Sequence, residues 1–369
     1  MNIKNLENRW EYGSEVHWQS VNELQALCGE KSIKSFYPNG AIHSTGCSTI
    51  RTILEHGKLN RGWKTIWMPT YFIKEVITVI AESDLIEKYY QENPLMNPPG
   101  LPNGKCSPND VVFRMNYFGW RGSEAILSPA ELGCDIIEDH CHDLIGNWAI
   151  GSRATYCIAT LRKLYPLPDS AILWSPSQAE IPEEPEITTS HLSAVEKKLS
   201  GMLLKQFYLS GGKVSKSEFR KTAIAGEEEI GGTNGISGAS ELSRNLLSII
   251  SVTKLSQRRT ENFEAFRKLA PSSVLNYIAW DNFVPGCYPF SIIFLFDTKN
   301  QRDSIRDYLI QNQIYPAIFW DWSDDLDLDD PQGQDFAARM LAIPCDFRYK
   351  NADLERVVNI MEQAINACN

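Results

Sequence analysis

The sequence lacks any apolar run long enough to cross a bilayer. Its longest, such as Ile292 to Phe296, fall far short of the roughly 20 residues that a spanning helix needs. The start, MNIKNLENRW, lacks the apolar centre of a signal peptide. No two of the nine cysteines stand at C-x-x-C spacing, and nine cannot all pair within one chain, so reduced thiols are expected. A positive excess is also missing: 36 Lys and Arg face 46 Asp and Glu, a net charge of −10. That balance excludes general binding to nucleic acid or to anionic membranes. Repeats and low-complexity tracts are absent too. A cytoplasmic protein with neither a nucleic-acid nor a membrane partner is expected.

What is present is apolar content. With 369 residues, 43% of them hydrophobic and 11% aromatic, the chain can bury one large core or two ordinary ones, which rules out disordered and fibrous classes. The acid is unevenly placed. Glu180, Glu183, Glu184 and Glu186 form one group, Glu227 to Glu229 a second, and seven aspartates between Asp321 and Asp335 a third; none of the three contains Lys or Arg. Without these fourteen acids, 36 bases face 32 acids, so the remainder is close to neutral and leaves room for small anionic ligands. The three groups read as solvated surface.

From about Thr45 to Trp174, short apolar runs alternate with helix-length segments, the pattern of a mostly parallel sheet covered by helices. KTIWMP (64–69), LIEKYY (85–90), DVVFRMN (110–116), CDIIED (134–139), ATYCIAT (154–160) and SAILW (170–174) read as strands, and Val76, Ile77 and Ile80 have helical spacing. The Pro-, Ser- and Glu-rich stretch 175–187 reads as an exposed connection, and 226–238 as a second break. Beyond it, Leu242, Leu246, Leu247, Ile250 and Leu255 predict one long helix over about 239–269. A strand at 290–296, a helix near 300–312 and a last helix over about 352–366 follow. The expected division is an N-terminal segment (1–35), a large domain (36–235) and a small C-terminal domain (236–369) beginning with the long helix.

Three segments carry candidate chemistry. His43-Ser44-Thr45-Gly46-Cys47-Ser48 precedes a helix whose Ile50, Ile53 and Leu54 share a face and which Gly57 would end. Small residues at a helix N-terminus expose unpaired N–H groups and a partial positive charge that can hold a phosphate, although the same pattern serves an ordinary Ser/Thr cap. Cys134 to His142 is an apolar strand ending in a polar cluster, which is where ligands collect in an open α/β sheet. Its His and Cys residues are consecutive, with no second ligand pair at zinc spacing, so no metal is expected. Thr160-Leu161-Arg162-Lys163 follows another strand; a neighbouring cation and partial burial are what turn a lysine into a nucleophile. Gly100 to Ser107 is not a phosphate loop, because three residues rather than four separate its glycines and Cys106 follows Lys105. The aspartates at 321–335 lack the Gly and Glu positions of a calcium loop.

In order, STGCSTIRTIL, MPTYFIKEVI, RMNYFGWRG, IIEDHCHDL, TLRKLYPLPD, the 240–269 segment and IPCDFRYKNADLERV resemble the DegT/DnrJ/StrS family of pyridoxal-phosphate-dependent aminotransferases over most of the chain. The resemblance implies an α/β fold of the aspartate-aminotransferase type (fold type I): three layers, a mostly parallel central sheet and a smaller C-terminal α+β domain. It implies that Lys163 forms the Schiff base with the cofactor aldehyde and shuttles a proton, and that Asp139 keeps the pyridine nitrogen protonated. His142 would lie near the phenolic oxygen, Gly46, Cys47, Ser48 and Thr160 would meet the phosphate, and Tyr71 or Phe72 would stack on the ring. Asn234 would be contributed across a homodimer with shared active sites. Ile73 stands where sugar-modifying members often have an aromatic, Thr160 to Lys163 is shorter than the usual S-F-x-x-x-K, and Ser170-Ala171 replaces a glycine pair. These departures bear on the substrate rather than on the cofactor.

The function implied is transfer of an amino group from an amino acid, glutamate or glutamine, to a keto acceptor such as a nucleotide-linked keto-sugar of polysaccharide or natural-product synthesis. Decarboxylation, elimination or carbon–carbon bond chemistry on an amino acid would use the same cofactor shell, and a non-catalytic relative would keep the fold alone.

Overall fold

The structure, a computed structural model, describes residues 9–14, 16–104, 106–231, 235–280, 282–320 and 330–368. Its strands are β1 (Tyr12–Gly13), β2 (Ala41–His43), β3 (Thr65–Pro69), β4 (Ile86–Tyr90), β5 (Asp110–Met115), β6 (Asp135–Asp139), β7 (Tyr156–Thr160), β8 (Ala171–Trp174), β9 (Ser291–Leu295), β10 (Ile314–Tyr315) and β11 (Met340–Pro344). Seven form one sheet in the order β2-β8-β7-β6-β5-β3-β4. The five strands β4, β3, β5, β6 and β7 run parallel, while β8 lies antiparallel to both β7 and β2. Every residue of β5, β6, β7 and β8 is buried, as a sheet covered on both faces requires. Each fully buried Ile, such as Ile136 and Ile137, contributes about 2 kcal/mol of apolar burial.

The register decides which residues meet. Met115 pairs with Asp139, Asp139 with Ile158, Thr160 with Ala171, and Ala171 with His43. The carboxyl ends of the parallel strands and of β2 therefore share one edge of the sheet, and every predicted strand from 64 to 174 contributes to that edge or its continuation.

Several helices depart from expectation. The 239–269 segment is two helices, Glu241–Ile249 and Val252–Leu269. The break comes from outside the segment: Ile250 bridges Cys28, Ser251 donates its N–H to the Leu27 carbonyl, Val252 donates to Lys31, and Ser251 restarts the helix as its cap. Gly57 does not end its helix, which runs over Gly46–Asn60. A Cβ there would lie 1.9 Å from the Trp63 indole, so glycine serves close packing instead. The 226–238 break is helical as far as Gly231: Lys216–Gly231 packs as a hairpin against Thr189–Leu209. Gly201 and Gly226 let the two helices touch.

The antiparallel pair β9–β11 lies beside the helices Val252–Leu269 and Lys299–Gln311, and Asn351–Cys368 packs against both helices. One apolar cluster runs unbroken from Ile66 and Phe113 of the central sheet to Phe294, Leu341 and Met361. The acidic groups are not all solvated. Asp330 is fully buried; it caps the helix Pro331–Arg339 and accepts from Thr70 Oγ1 at 2.9 Å and from Asn93. Residues 321–329 lie outside the described residues.

Candidate active site

Lys163 closes a one-turn 3-10 helix, Leu161–Lys163, set directly after β7. The turn is fixed at both ends. Leu161 donates its N–H to the Ser170 carbonyl at 2.9 Å, and Ser170 donates to Ser44 at 2.8 Å, so the lysine segment is tied to the start of the Gly46–Asn60 helix. Asp169, fully buried, anchors the far side: it accepts from Ser240 N and Oγ, both at 2.7 Å, from His191 Nε2 at 3.0 Å, and from Ser243 Oγ. Burial opposes its charge, but the hydrogen bonds from His191, Ser243 and Ser240 outweigh it and hold the carboxyl below its ordinary range. The Lys163 ammonium itself is half-buried and pairs with no carboxylate among the described residues.

Asp139 ends β6 and accepts the Cys141 N–H at 2.8 Å; no Lys, Arg or His lies within 4 Å of it among the described residues. Cys141 spans the gap to the next strand, its Sγ accepting from Thr160 N at 2.9 Å, and burial beside Asp139 pushes its thiol up to about 12. His142 is fully buried, and burial first, then the charges of Lys163 and Arg259, drive its pKa well below 6.5. Its Nδ1 accepts the Phe118 N–H at 3.0 Å. A neutral ring that accepts at Nδ1 carries its proton on Nε2, and this buried Nε2 has no partner.

Gly46, Cys47 and Ser48 form the first turn of their helix, as predicted, with Thr45 as the cap accepting from Ser48 N at 3.0 Å. Thr49 N donates to the Thr45 carbonyl, which leaves the Gly46 and Cys47 N–H groups without partners among the described residues. The Ser48 hydroxyl is engaged elsewhere: it donates to Ser237 O at 3.1 Å and accepts from Ser237 N at 3.0 Å. Thr160 Oγ1 faces the turn so closely that a Cβ on Gly46 would lie 2.4 Å from it.

The aromatic surroundings differ from the simple stack expected of Tyr71 or Phe72. Tyr71 is fully buried, with its hydroxyl on the Phe319 carbonyl at 3.0 Å, and Phe72 stacks on Trp320 at 5.8 Å. His142 lies nearly parallel to Phe290 at 4.2 Å, Phe118 at 5.3 Å and Trp320 at 5.7 Å. Phe118, Phe290, Phe319 and Trp320 were not singled out in the sequence. Phe118 sits within RMNYFGWRG, so a signal existed; the other three come from 290–320, which is too distant along the chain for spacing to reveal. Phe118 and Trp320 have φ of 54° and 59°, and Ser170 has φ of 108°, so three residues outside the usual backbone regions gather here. Asn234 lies outside the described residues.

Two charge networks border these groups. Glu138, next to Asp139 but facing the other way, accepts from Arg114 at 3.1 Å, Ser152 Oγ at 2.6 Å and His140 at 3.2 Å, with Cys157 3.8 Å away. Glu138, His140 and Cys157 have the donor types of a metal site, but Arg114 already supplies the cation that this carboxylate needs. On the other side, Glu227 bridges Arg162 at 2.7 Å and Lys198 at 2.6 Å, so part of the second acidic group reaches the residue beside Lys163.

No family model and no curated protein matches the chain. Solved structures do. A DegT DnrJ EryC1 StrS aminotransferase from Brucella abortus is similar at 10% identity and a TM-score of 0.54, over 93% of this chain and 95% of that one. The putative sugar aminotransferase Spr1654 from Streptococcus pneumoniae, in its PMP form, is similar at 9% identity and a TM-score of 0.61, over 97% and 98%. The aminotransferase TlmJ from Streptoalloteichus hindustanus is similar at 13% identity and a TM-score of 0.56, over 98% and 100%. At such identities the likeness shows the fold, and the fold is that of these aminotransferases.

Proposed function

We propose that this chain, having the aminotransferase fold, is itself a pyridoxal-phosphate-dependent aminotransferase that moves an amino group from an amino acid donor to a keto acceptor. The observation that carries the reading is the convergence, at one sheet edge, of three groups that have no partner of opposite charge or hydrogen-bond acceptor among the described residues: the Lys163 ammonium, the Asp139 carboxylate, which no cation meets, and the buried His142 Nε2–H. An anionic ring with one basic nitrogen and a phosphate fits that donor set. When bound, pyridoxal phosphate supplies an aldehyde that captures amines and a ring that accepts the electrons left on the substrate α-carbon.

The residues divide the remaining work. Asp139 would accept from a proton-bearing ring nitrogen and favour its charged form. His142, held in one tautomer by the Phe118 N–H, would donate from Nε2 to a phenolate oxygen. The N–H groups of Gly46 and Cys47, at the positive end of their helix, and Thr160 Oγ1 hold the phosphate; Ser48 supports the turn through Ser237. Tyr71 and Phe72 back the ring's side of the site through Trp320. Lys163 would hold the cofactor through its side-chain amine and, when that amine is free, would serve as the base that takes a proton at the substrate α-carbon.

The reading retains a homodimer, with glutamate or glutamine as donor. It predicts that protein with added pyridoxal phosphate gains a cofactor absorbance band that an amino donor shifts, and that borohydride fixes the cofactor on Lys163. No band, or fixation elsewhere, would end it. Lys163→Ala should lower turnover by at least about 10²- to 10⁴-fold.

A further inference from the structure

Cys106 and Cys134 are far from C-x-x-C spacing, yet the fold brings them together. Cys106 lies in the segment between β4 and β5, and Cys134 directly precedes β6. β5 and β6 are neighbours, with Val111 paired to Asp135, so the approach to β5 runs beside the start of β6. Ser107 makes the last turn into β5, donating its N–H to Asp110 Oδ2 at 3.0 Å and accepting from Asp110 N at 2.8 Å. The two cysteines share a small apolar cluster with Tyr90 and Val112, and each thiol is a hydrogen-bond partner of the other. Their backbones are close as well: a Cβ on Gly133 would lie 3.7 Å from the Cys106 carbonyl oxygen. Other buried cysteines meet different groups: Cys141 accepts from Thr160 N, Cys157 faces Ser152 Oγ, and Cys287 donates to the Arg121 carbonyl.

The two thiols are not equivalent. Burial raises Cys106, while the Cys134 S–H and the Lys88 charge pull it back down against Asp110. Cys134 is raised by burial first, and then by Cys106, Asp110 and Asp135, with no cation among the causes. Cys106 therefore gives up its proton first, and a thiolate is the form that attacks a disulfide. Both lie just under the surface, 8% and 5% exposed, at the end of β6 opposite Asp139.

We propose that Cys106 and Cys134 form an oxidisable dithiol whose oxidant is a low-molecular-weight disulfide such as oxidised glutathione. The Cys106 thiolate attacks one glutathione sulfur, the glutathione S–S bond breaks, and the departing thiolate takes up the proton that Cys106 released. Cys134 then loses its proton and attacks Cys106 Sγ; the mixed disulfide breaks, and the second glutathione leaves as a thiol. Two cysteine thiols are oxidised to one disulfide, and one glutathione disulfide is reduced to two thiols. The new bond closes a ring over residues 106–134 that contains all of β5, so it restricts the unfolded chain and stabilises the folded one. Because it forms at the end of β6 away from Asp139, the step needs no cofactor and does not depend on the aminotransferase reading.

The test is incubation of the full chain with oxidised glutathione at about pH 9, where a thiol ionises, followed by alkylation and peptide mapping by mass spectrometry without reductant. A linked pair of peptides containing Cys106 and Cys134 is expected, lighter by two hydrogen atoms than the free peptides together, with a higher melting temperature; dithiothreitol should reverse both. Cys134→Ser should stop with one glutathione on Cys106, and Cys106→Ser should leave Cys134 free. If either variant fails to fold, the peptide map of the unaltered protein still decides. Free thiols at both positions, glutathione that stays on either cysteine, a link joining a different pair, or a link without a higher melting temperature would each overturn the proposal.

Discussion

Asp135 and Asp139 are the first and last residues of β6 and point from the same side of the strand, four residues apart. Their surroundings are opposite. Asp135 accepts from Arg61 Nε at 2.6 Å, Arg61 NH2 at 2.8 Å, Trp63 Nε1 at 2.7 Å and Thr155 Oγ1 at 2.9 Å, a saturated carboxylate. Burial pushes against its charge, but the bonds from Arg61, Trp63 and Thr155 prevail and lower its pKa. Asp139 accepts from the Cys141 N–H and lies beside the Cys141 thiol, with no cation within 4 Å among the described residues. The same residue type on the same strand holds the fold together at one end and is left available for a ligand at the other. Saturation, more than burial or sequence, separates the two.

Neutralising the two ends should separate stability from activity most sharply. Asp139→Asn is expected to lower turnover by about 10²- to 10⁴-fold with melting nearly unchanged. Asp135→Asn should cost about 2 kcal/mol in denaturant unfolding while the folded fraction turns over normally. Loss of activity from the Asp135 variant at constant folding would break the comparison.

His142→Phe comes next. It keeps the stacking with Phe290 and Trp320 but removes the Nε2 donor, so cofactor affinity should fall by about tenfold or more in equilibrium dialysis. Unchanged affinity would mean that this orphaned donor serves no ligand.

Asp143 tests the other sense of burial. Fully buried, it accepts the N–H groups of Gly146 and Tyr288, and desolvation raises it to about 6 against the opposing charge of Arg259 and those hydrogen bonds. A carboxyl raised in the folded state favours folding most when protonated, below its unfolded value near 4, and that contribution is lost as pH rises through about 6. Between pH 4 and 7 the wild type should lose roughly 2 kcal/mol relative to Asp143→Asn, read from unfolding curves at each pH. Parallel curves would refute the assignment.

The smallest effect is expected at Ser170, whose φ of 108° suits glycine. Ser170→Gly should raise stability by up to about 1 kcal/mol without moving Lys163, seen as a higher melting temperature with the same cofactor spectrum.

The sheet was legible because its strands are short, apolar and flanked by breaks: all six strands predicted between residues 64 and 174 are present. The lysine turn, the strand-terminal Asp139 and His142, and the small-residue helix start were legible because each lies at a strand end or a helix cap, where local pattern and exposed chemistry coincide. The 239–269 helix was misread because periodicity continues through Ile250, and only backbone bonds from residues 27–31 interrupt it. The Lys216–Gly231 helix was hidden by its glycines and acids, which read as a break until Gly226 is seen packed on Lys198. Asp330 and Glu227 looked like solvated acid because composition does not show which carboxylate meets Thr70 or Arg162.

The sequence by itself determined the layered α/β order, the placing of Lys163, Asp139 and His142 after their strands, and the confinement of negative charge to a few segments. Those follow from periodicity and local backbone preference, which act over a few residues. Only the tertiary structure decided that Asp135 is saturated while Asp139 is not, that the His142 donor has no partner among the described residues, and that Arg259 reaches both the His142 carbonyl and the Lys163 cavity. Hydrogen bonds and ion pairs are short-ranged and directional, and these join residues 20 to more than 100 positions apart, so no spacing along the chain could have fixed them.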